Sequence, residues 1–213
     1  MVEPLIVTVV SVFVLGMIFL FYWKFWFLRQ PARKIPEGNV IVSPADGAVV
    51  SITPFGAEDN QSTQQSTIEK GWLGLITTIT NDVAPRGYLI GIAMNPFNVH
   101  YQRAPIDGIV TKIKYTSGRF RNALTSSLRI LENEHNEILI EGKIIVKVIQ
   151  IAGTLARRIK SFVNKKDKVH KGDVIGLINL GSQTILIVPD TVTVKIHKNQ
   201  RVIDGETIIA TLP

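Results

Sequence analysis

The residues of this chain with the most to offer chemistry are consecutive. Leu180-Gly181-Ser182-Gln183-Thr184 lies between two apolar runs, residues 174–178 and 185–188. Gly181 has no side chain to shield its carbonyl, and it accepts backbone geometry closed to other residues. Ser182 places a hydroxyl beside that carbonyl. Held in a strained turn between strands, Ser182 can attack the peptide bond that precedes it, which is nucleophilic catalysis turned on the chain itself. Gly-Ser between strands is also an ordinary turn. Among the four histidines, His135, His170 and His197 sit among charged or polar residues and read as solvated surface. His100 differs, because it follows Pro96-Phe97-Asn98-Val99 just after an apolar strand. It is either a hydrogen-bonded structural histidine or a functional one. Asp46, in Ala45-Asp46-Gly47, is accounted for as a turn former and is open to a further role.

Six motifs follow one another in a single order. They are Ser43-Pro-Ala-Asp-Gly47, Met94-Asn-Pro-Phe-Asn-Val-His100, Arg103-Ala-Pro-Ile-Asp-Gly108, Ile151-Ala-Gly-Thr-Leu-Ala-Arg-Arg-Ile159, Gly172-Asp-Val-Ile-Gly176 and Gly181-Ser182. The series resembles the phosphatidylserine decarboxylase family in its short archaeal and bacterial form, archaetidylserine decarboxylases included, and the resemblance covers roughly residues 25–213. The resemblance implies an Asp46/His100/Ser182 arrangement, in which a carboxylate orients a histidine and the histidine takes the serine proton. It implies self-cleavage between Gly181 and Ser182 into two partner chains, 1–181 and 182–213. The second would begin with a covalent pyruvoyl cofactor made from Ser182. Its ketone would capture the amine of a serine phospholipid and act as the electron sink for loss of carbon dioxide, leaving the ethanolamine phospholipid. Arg157 and Arg158, in the family-like Ala-Arg-Arg-Ile, are the implied holders of the lipid phosphate, because a guanidinium fork matches phosphate oxygens.

Two positions depart from the family. Some members carry two histidines three residues apart, and here the second position is Arg103, so His100 serves both steps or another group is the base. Glu132-Asn-Glu-His-Asn136 stands where the family often has Asn-Glu-Arg-Asn, which leaves His135 open to more than a surface role.

The elements that must position these groups follow from composition and pattern. The chain has 213 residues, enough for one domain with a sizeable core. It has no cysteine, which excludes disulfides and cysteine-ligated metal, and no metal site is predicted. The net charge of +7 suits nucleic acid or an anionic membrane. Aromatic residues are not interleaved with the basic ones as base stacking would need, so the expected partner is membrane and not nucleic acid.

Residues 5–23 are uncharged. At about 1.5 Å per residue they come close to spanning the roughly 30 Å hydrocarbon core. A signal peptide fits poorly, since no basic segment precedes the run and no small-x-small cleavage site follows it. Residues 1–29 are therefore predicted to be a retained membrane anchor. Lys24, Arg29, Arg33 and Lys34 follow its apolar core and only Glu3 precedes it. The positive-inside rule then places the catalytic domain on the cytoplasmic side of the cell membrane. Tyr22, Trp23 and Trp26 cluster at the same end, as an interfacial belt does.

Residues 30–39, with two prolines, read as a linker, and residues 40–213 as a β-rich domain. Strands are predicted over 40–42, 48–52, 89–94, 109–115, 138–140, 143–151, 173–178, 184–188, 191–196 and 206–212. Short helices are expected at 120–124 and 154–162, and an exposed loop over the polar stretch 56–71. Asp46-Gly47, Asp107-Gly108 and Asp204-Gly205 read as tight turns. The fold class is mainly β (α+β): a compact barrel- or sandwich-like domain with short helices behind one transmembrane helix. The basic stretch Arg157, Arg158, Lys160, Lys165, Lys166, Lys168 and Lys171 is either a solvated face or a surface for lipid headgroups.

The competing reading is a membrane-anchored, non-enzymatic binding module. Lys171-Gly172-Asp173 and Asp204-Gly205-Glu206 between short strands also look like biotinyl/lipoyl-type hybrid barrels and the adaptors built on them. No Met-Lys-Met carrier lysine and no long heptad run supports it.

Overall fold

The computed structural model of the protein describes residues 2–56, 65–69, 75–117, 134–153, 159–179 and 182–213. The expected helix over 120–124 and the first five residues, 154–158, of the one expected over 154–162 lie outside these residues.

The chain opens with helix α1 (Val2–Phe21), continued by a π-helical segment, Tyr22–Phe27. The stretch Pro4–Phe27 has a mean hydropathy of 2.7 and is long and apolar enough to cross a membrane. Its large side chains point outward, with no protein packed on most of them. Phe27 is the exception and is completely buried.

The rest is strand. In chain order the strands are β1 (Val40–Val42), β2 (Gly47–Phe55), β3 (Gln65–Glu69), β4 (Leu75–Ile79), β5 (Gly87–Met94), β6 (Tyr101–Arg103), β7 (Gly108–Thr116) and β8 (His135–Glu141). They continue with β9 (Ile145–Ile151), β10 (Ile159–Ser161), β11 (Lys168–Val169), β12 (Val174–Ile178), β13 (Ser182–Pro189), β14 (Thr193–Val194), β15 (Arg201–Val202) and β16 (Ile208–Thr211). Eight form one antiparallel sheet in the order β11-β7-β8-β9-β13-β5-β2-β15, curled into a half-barrel. Two three-stranded sheets, β1-β16-β14 and β10-β12-β6, and the hairpin β3-β4 complete the set.

The curled sheet follows from alternation at the two-residue period of a strand. On β8 and β9, Ile138, Ile140, Val146 and Val148 enter the main core with Ile90, Ile92, Leu186 and Val188. The intervening Leu139, Ile149, Ile151, Ile185 and Ile187 form a second cluster on the opposite face. Each fully buried aliphatic side chain contributes about 1.5–3 kcal/mol, so the central strands are apolar on both faces.

Three expectations are corrected. Part of the expected loop is strand, since β3 pairs with β4 from Gln65↔Ile79 to Glu69↔Leu75. Part of the expected helix is also strand, because Ile159, Lys160 and Ser161 pair with Ile178, Leu177 and Gly176 of β12. A three-residue edge segment takes its conformation from the partner strand more than from its own propensity. His135 is buried at 7% exposure, because it alternates inward on β8 beside Glu137 and Leu139. His170 and His197 are exposed.

What matters for chemistry is where strands end. Ser182 opens β13 in register with Met94, the last residue of β5. Ala48 of β2 lies against Ala93. A Cβ on Gly47 would sit 2.2 Å from the Ala93 carbonyl oxygen, so only glycine permits this approach. Asp46, the segment after Met94 and the start of β13 are thereby brought to one end of the sheet.

Candidate active site

His100 immediately precedes β6, which pairs with β12. Its carbonyl accepts the Ile178 N–H at 3.1 Å and the Gln102 Nε2–H at 2.8 Å. Gln102 Oε1 in turn accepts from Gln150 Nε2 at 2.7 Å, and Gln150 Oε1 accepts from Asn136 Nδ2 at 2.9 Å. All three amide side chains are buried. Such a chain is costly to interrupt, because each lost partner strands a buried polar group. The strand carrying His100 is thus fixed both by its ladder and by a buried amide relay.

The imidazole itself is fully buried. Phe27 covers it, ring centroids 4.1 Å apart, and Trp23 stacks on Phe27 at 4.6 Å. Nδ1 lies 2.9 Å from the Asn98 carbonyl, which can only accept, so the proton sits on Nδ1. Nε2 is then an acceptor, and it has no hydrogen-bond partner among the described residues. Burial drives the His100 pKa down to about 4, against the Asn98 bond, which raises it, and with the Arg29 charge, which lowers it further. The ring is therefore neutral at physiological pH, with an open lone pair. Phe27→Ala, which admits water to this ring, is expected to move the His100 titration from about 4 upward toward its ordinary 6.5, read by NMR of the imidazole nitrogens. An unchanged titration would mean that Phe27 is not what desolvates the ring.

Asp46 does not bond to the His100 ring. Its Oδ2 accepts the backbone N–H of Val99, the residue before His100, at 3.1 Å. Its Oδ1 accepts the Asp204 N–H at 3.1 Å and Arg33 Nη2 at 3.2 Å. Asp204, with no exposed surface, bonds Arg33 through Oδ1 and Arg103 Nε through Oδ2, the latter at 2.6 Å. Arg103 spends its remaining donors on the Gly172 and Pro31 carbonyls, at 2.8 and 3.2 Å. Burial pushes Asp204 upward, and the two guanidinium groups oppose that shift. Asp46, Arg33, Asp204 and Arg103 form one partly buried network, which holds the Val99 amide through Asp46. A cleft of about 820 Å³ lies alongside, lined by Asp46, Met94, Asn95, Phe97, Asn98 and Arg201 among others.

The fold therefore brings Asp46, His100 and the backbone of Ser182 to one end of the sheet. Gly181, Arg157 and Arg158 lie outside the described residues. Sequence reasoning missed Phe27, Arg33, Asp204 and the amides Gln102, Gln150 and Asn136. Arg33 reads as one more basic residue after the apolar run, and Asp204-Gly205 as one more turn. A signal was present in the choice of arginine over lysine at 33 and 103, since the guanidinium fork suits buried carboxylate pairs.

The family model described as phosphatidylserine decarboxylase matches residues 20–210. A Methanocaldococcus jannaschii protein, named provisionally as an archaetidylserine decarboxylase proenzyme, is 34% identical over 200 residues, covering 93% of this chain and 94% of its own. A phosphatidylserine decarboxylase proenzyme of Carboxydothermus hydrogenoformans is 38% identical over 193 residues, covering 89% and 80% of the two chains. One from Saccharopolyspora erythraea is 37% identical over 193 residues, covering 89% and 73%. With a family model matched over residues 20–210 and relatives this similar over most of their length, the strand-rich chain belongs to the phosphatidylserine decarboxylase family and is a decarboxylase.

Proposed function

We propose that this decarboxylase is made as a precursor that cuts itself between Gly181 and Ser182 and then converts a serine phospholipid to the ethanolamine phospholipid. The observation that carries this reading is His100, a buried neutral imidazole whose Nε2 lone pair is unpartnered among the described residues. It belongs to the segment that hydrogen-bonds Ile178, four residues before Ser182.

In the first step, Ser182 Oγ bonds to the carbonyl carbon of Gly181 and gives its proton to His100 Nε2. The peptide C–N bond breaks, and the freed nitrogen takes a proton, leaving an ester. The residue 182 α-proton is then removed as the Gly181 carboxylate leaves, and water adds to the resulting imine carbon and displaces the nitrogen as ammonia, which leaves a pyruvoyl group at position 182. That group, once formed, supplies an electrophilic carbonyl that captures an amine and takes up the electron pair left by carbon dioxide. Such a group suits this chain because it is built from residue 182 itself, at the strand end in register with Met94, six residues before His100. His100 Nε2 then holds the proton that returns to the substrate carbon. Asp46 acts as a positioning residue, through the Val99 amide. Phe27 and Trp23 keep bulk water from the imidazole. Arg157 and Arg158 are assigned to the lipid phosphate.

Residues 1–29 serve as anchor, 30–39 as linker and 40–213 as the catalytic domain, placed on the cytoplasmic side by Lys24, Arg29, Arg33 and Lys34. The linker also contributes Arg33 to the site.

Intact mass spectrometry under denaturing conditions tests the reading. The wild type is expected as two chains, 1–181 and a 182–213 fragment whose first residue is a pyruvoyl group. Ser182→Ala is expected as one uncut chain. A single chain in folded, membrane-extracted wild type would sink the proposal.

A further inference from the structure

The turn over residues 95–98 carries a phenyl group that the turn does not need. Phe97 is 68% exposed. The turn closes through main chain and asparagine side chains. Asn98 N–H donates to Asn95 O at 3.0 Å, Asn95 N–H to Asn98 Oδ1 at 2.8 Å, and Phe97 N–H to Asn95 Oδ1 at 2.9 Å. None of these bonds uses the side chain of residue 97.

The same turn is tied to the end of the apolar helix. The Tyr22 hydroxyl donates to the Pro96 carbonyl at 2.7 Å, and Arg29 Nη2 donates to the Phe97 carbonyl at 2.6 Å. The Arg29 guanidinium also lies 4.6 Å from the Trp26 ring. Phe25 and Trp26 are themselves 60% and 50% exposed. At about 1.5 Å per residue, a helix that starts its apolar run at Pro4 fills a roughly 30 Å hydrocarbon core near Lys24. Tyr22 and Trp26 then stand in the boundary layer where such side chains settle. A turn bonded to Tyr22 on one side and Arg29 on the other stands in that layer too. An exposed phenyl there faces lipid.

We propose that the 95–98 turn is a second membrane contact, with Phe97 inserted among the lipid headgroups beside the anchor. This turn forms part of the wall of the cleft that holds Asp46 and Arg201, so the contact sets the cleft at the bilayer surface. A substrate with a polar head and apolar tails can then reach the site with its tails still in the membrane. The inference rests on α1 crossing the bilayer, and it stands apart from the decarboxylase chemistry.

The chain has no cysteine, so single cysteines can be placed and spin-labelled cleanly. Three full-length variants are compared in vesicles of phosphatidylcholine and phosphatidylglycerol: Phe97→Cys, Val12→Cys within α1, and Asp190→Cys. Asp190 is exposed just beyond Pro189, which pairs with Gly87 at the opposite end of β5 from Met94. Relative accessibility to oxygen and to a water-soluble nickel chelate reports label depth. The expected ratio at 97 is several-fold above that at 190 and below that at 12. A ratio at 97 equal to that at 190, with a lipid-like value at 12, overturns the inference and leaves the anchor standing. An aqueous value at 12 overturns both. None of these outcomes depends on whether the chain cuts itself or decarboxylates anything.

Discussion

His100→Gln is expected to slow self-cleavage by about 10²–10⁴-fold, the range set by loss of a positioned proton acceptor. The measurement is the appearance of the 182–213 fragment by intact mass over time, with the thermal transition of the variant as a check on folding. The wild-type pH profile carries a second signature. The folded His100 pKa is lowered from 6.5 to about 4, so between those values the ring stays neutral and able to accept a proton. The cleavage rate should hold on descending through 6.5 and fall only as the pH approaches 4. An ordinary solvated histidine would lose the rate around 6.5 instead. A rate unaffected by His100→Gln, or a profile breaking at 6.5, would remove His100 from the role of base. The same shift has a stability consequence whose sign is fixed. Between 6.5 and 4 the unfolded chain binds the proton that the folded chain refuses. The folded state therefore loses stability as pH falls through that window, by at most about 3 kcal/mol.

Asp204→Ala should destabilise the protein by about 3–5 kcal/mol, the cost of removing one partner from a buried ion pair. Asp204 is fully buried and receives both Arg33 and Arg103. Without it, Arg103 keeps two carbonyls and no counter-charge, while Arg33 keeps only Asp46. The effect should be read from chemical or thermal unfolding in detergent. Arg33→Met removes a guanidinium but leaves the Arg103–Asp204 pair intact, so a smaller loss is expected. A cost for Asp204→Ala within the range of a surface substitution would mean that the network is not load-sharing with the fold. Both variants should also slow self-cleavage, since Asp46 holds Val99 and Val99 adjoins His100.

This network gives a physical account of Arg103 at the position where some family members carry a second histidine. The guanidinium there is spent on Asp204, Gly172 and Pro31. Within the described residues, His135 also lies at this end of the sheet, where β8 starts against Ile151, but it is set beside Glu137, while His100 is the histidine tied to the Asp46 segment.

Much of this protein was legible in its residues alone. Alternation at period two located β7, a hairpin signal at Glu141-Gly142 located β8 and β9, and an apolar run located β13, each to within a few residues. An uncharged run followed by basic and aromatic residues marked the helix that is long enough to cross a membrane. The order of six short motifs identified the family. Edge segments were harder: residues 65–69 and 159–161 are strands because of what they pair with, and no local signal in them says so. The site divided along the same line. Ser182, His100 and Asp46 are named by chemistry and motif. Only the tertiary structure decided that Asp46 addresses the Val99 amide instead of the imidazole, that Phe27 from the end of the apolar helix covers that imidazole, and that Arg33 and Asp204, 171 positions apart, share one ion network. Burial and long-range charge pairing are properties of neighbours in space, and a sequence lists neighbours along the chain.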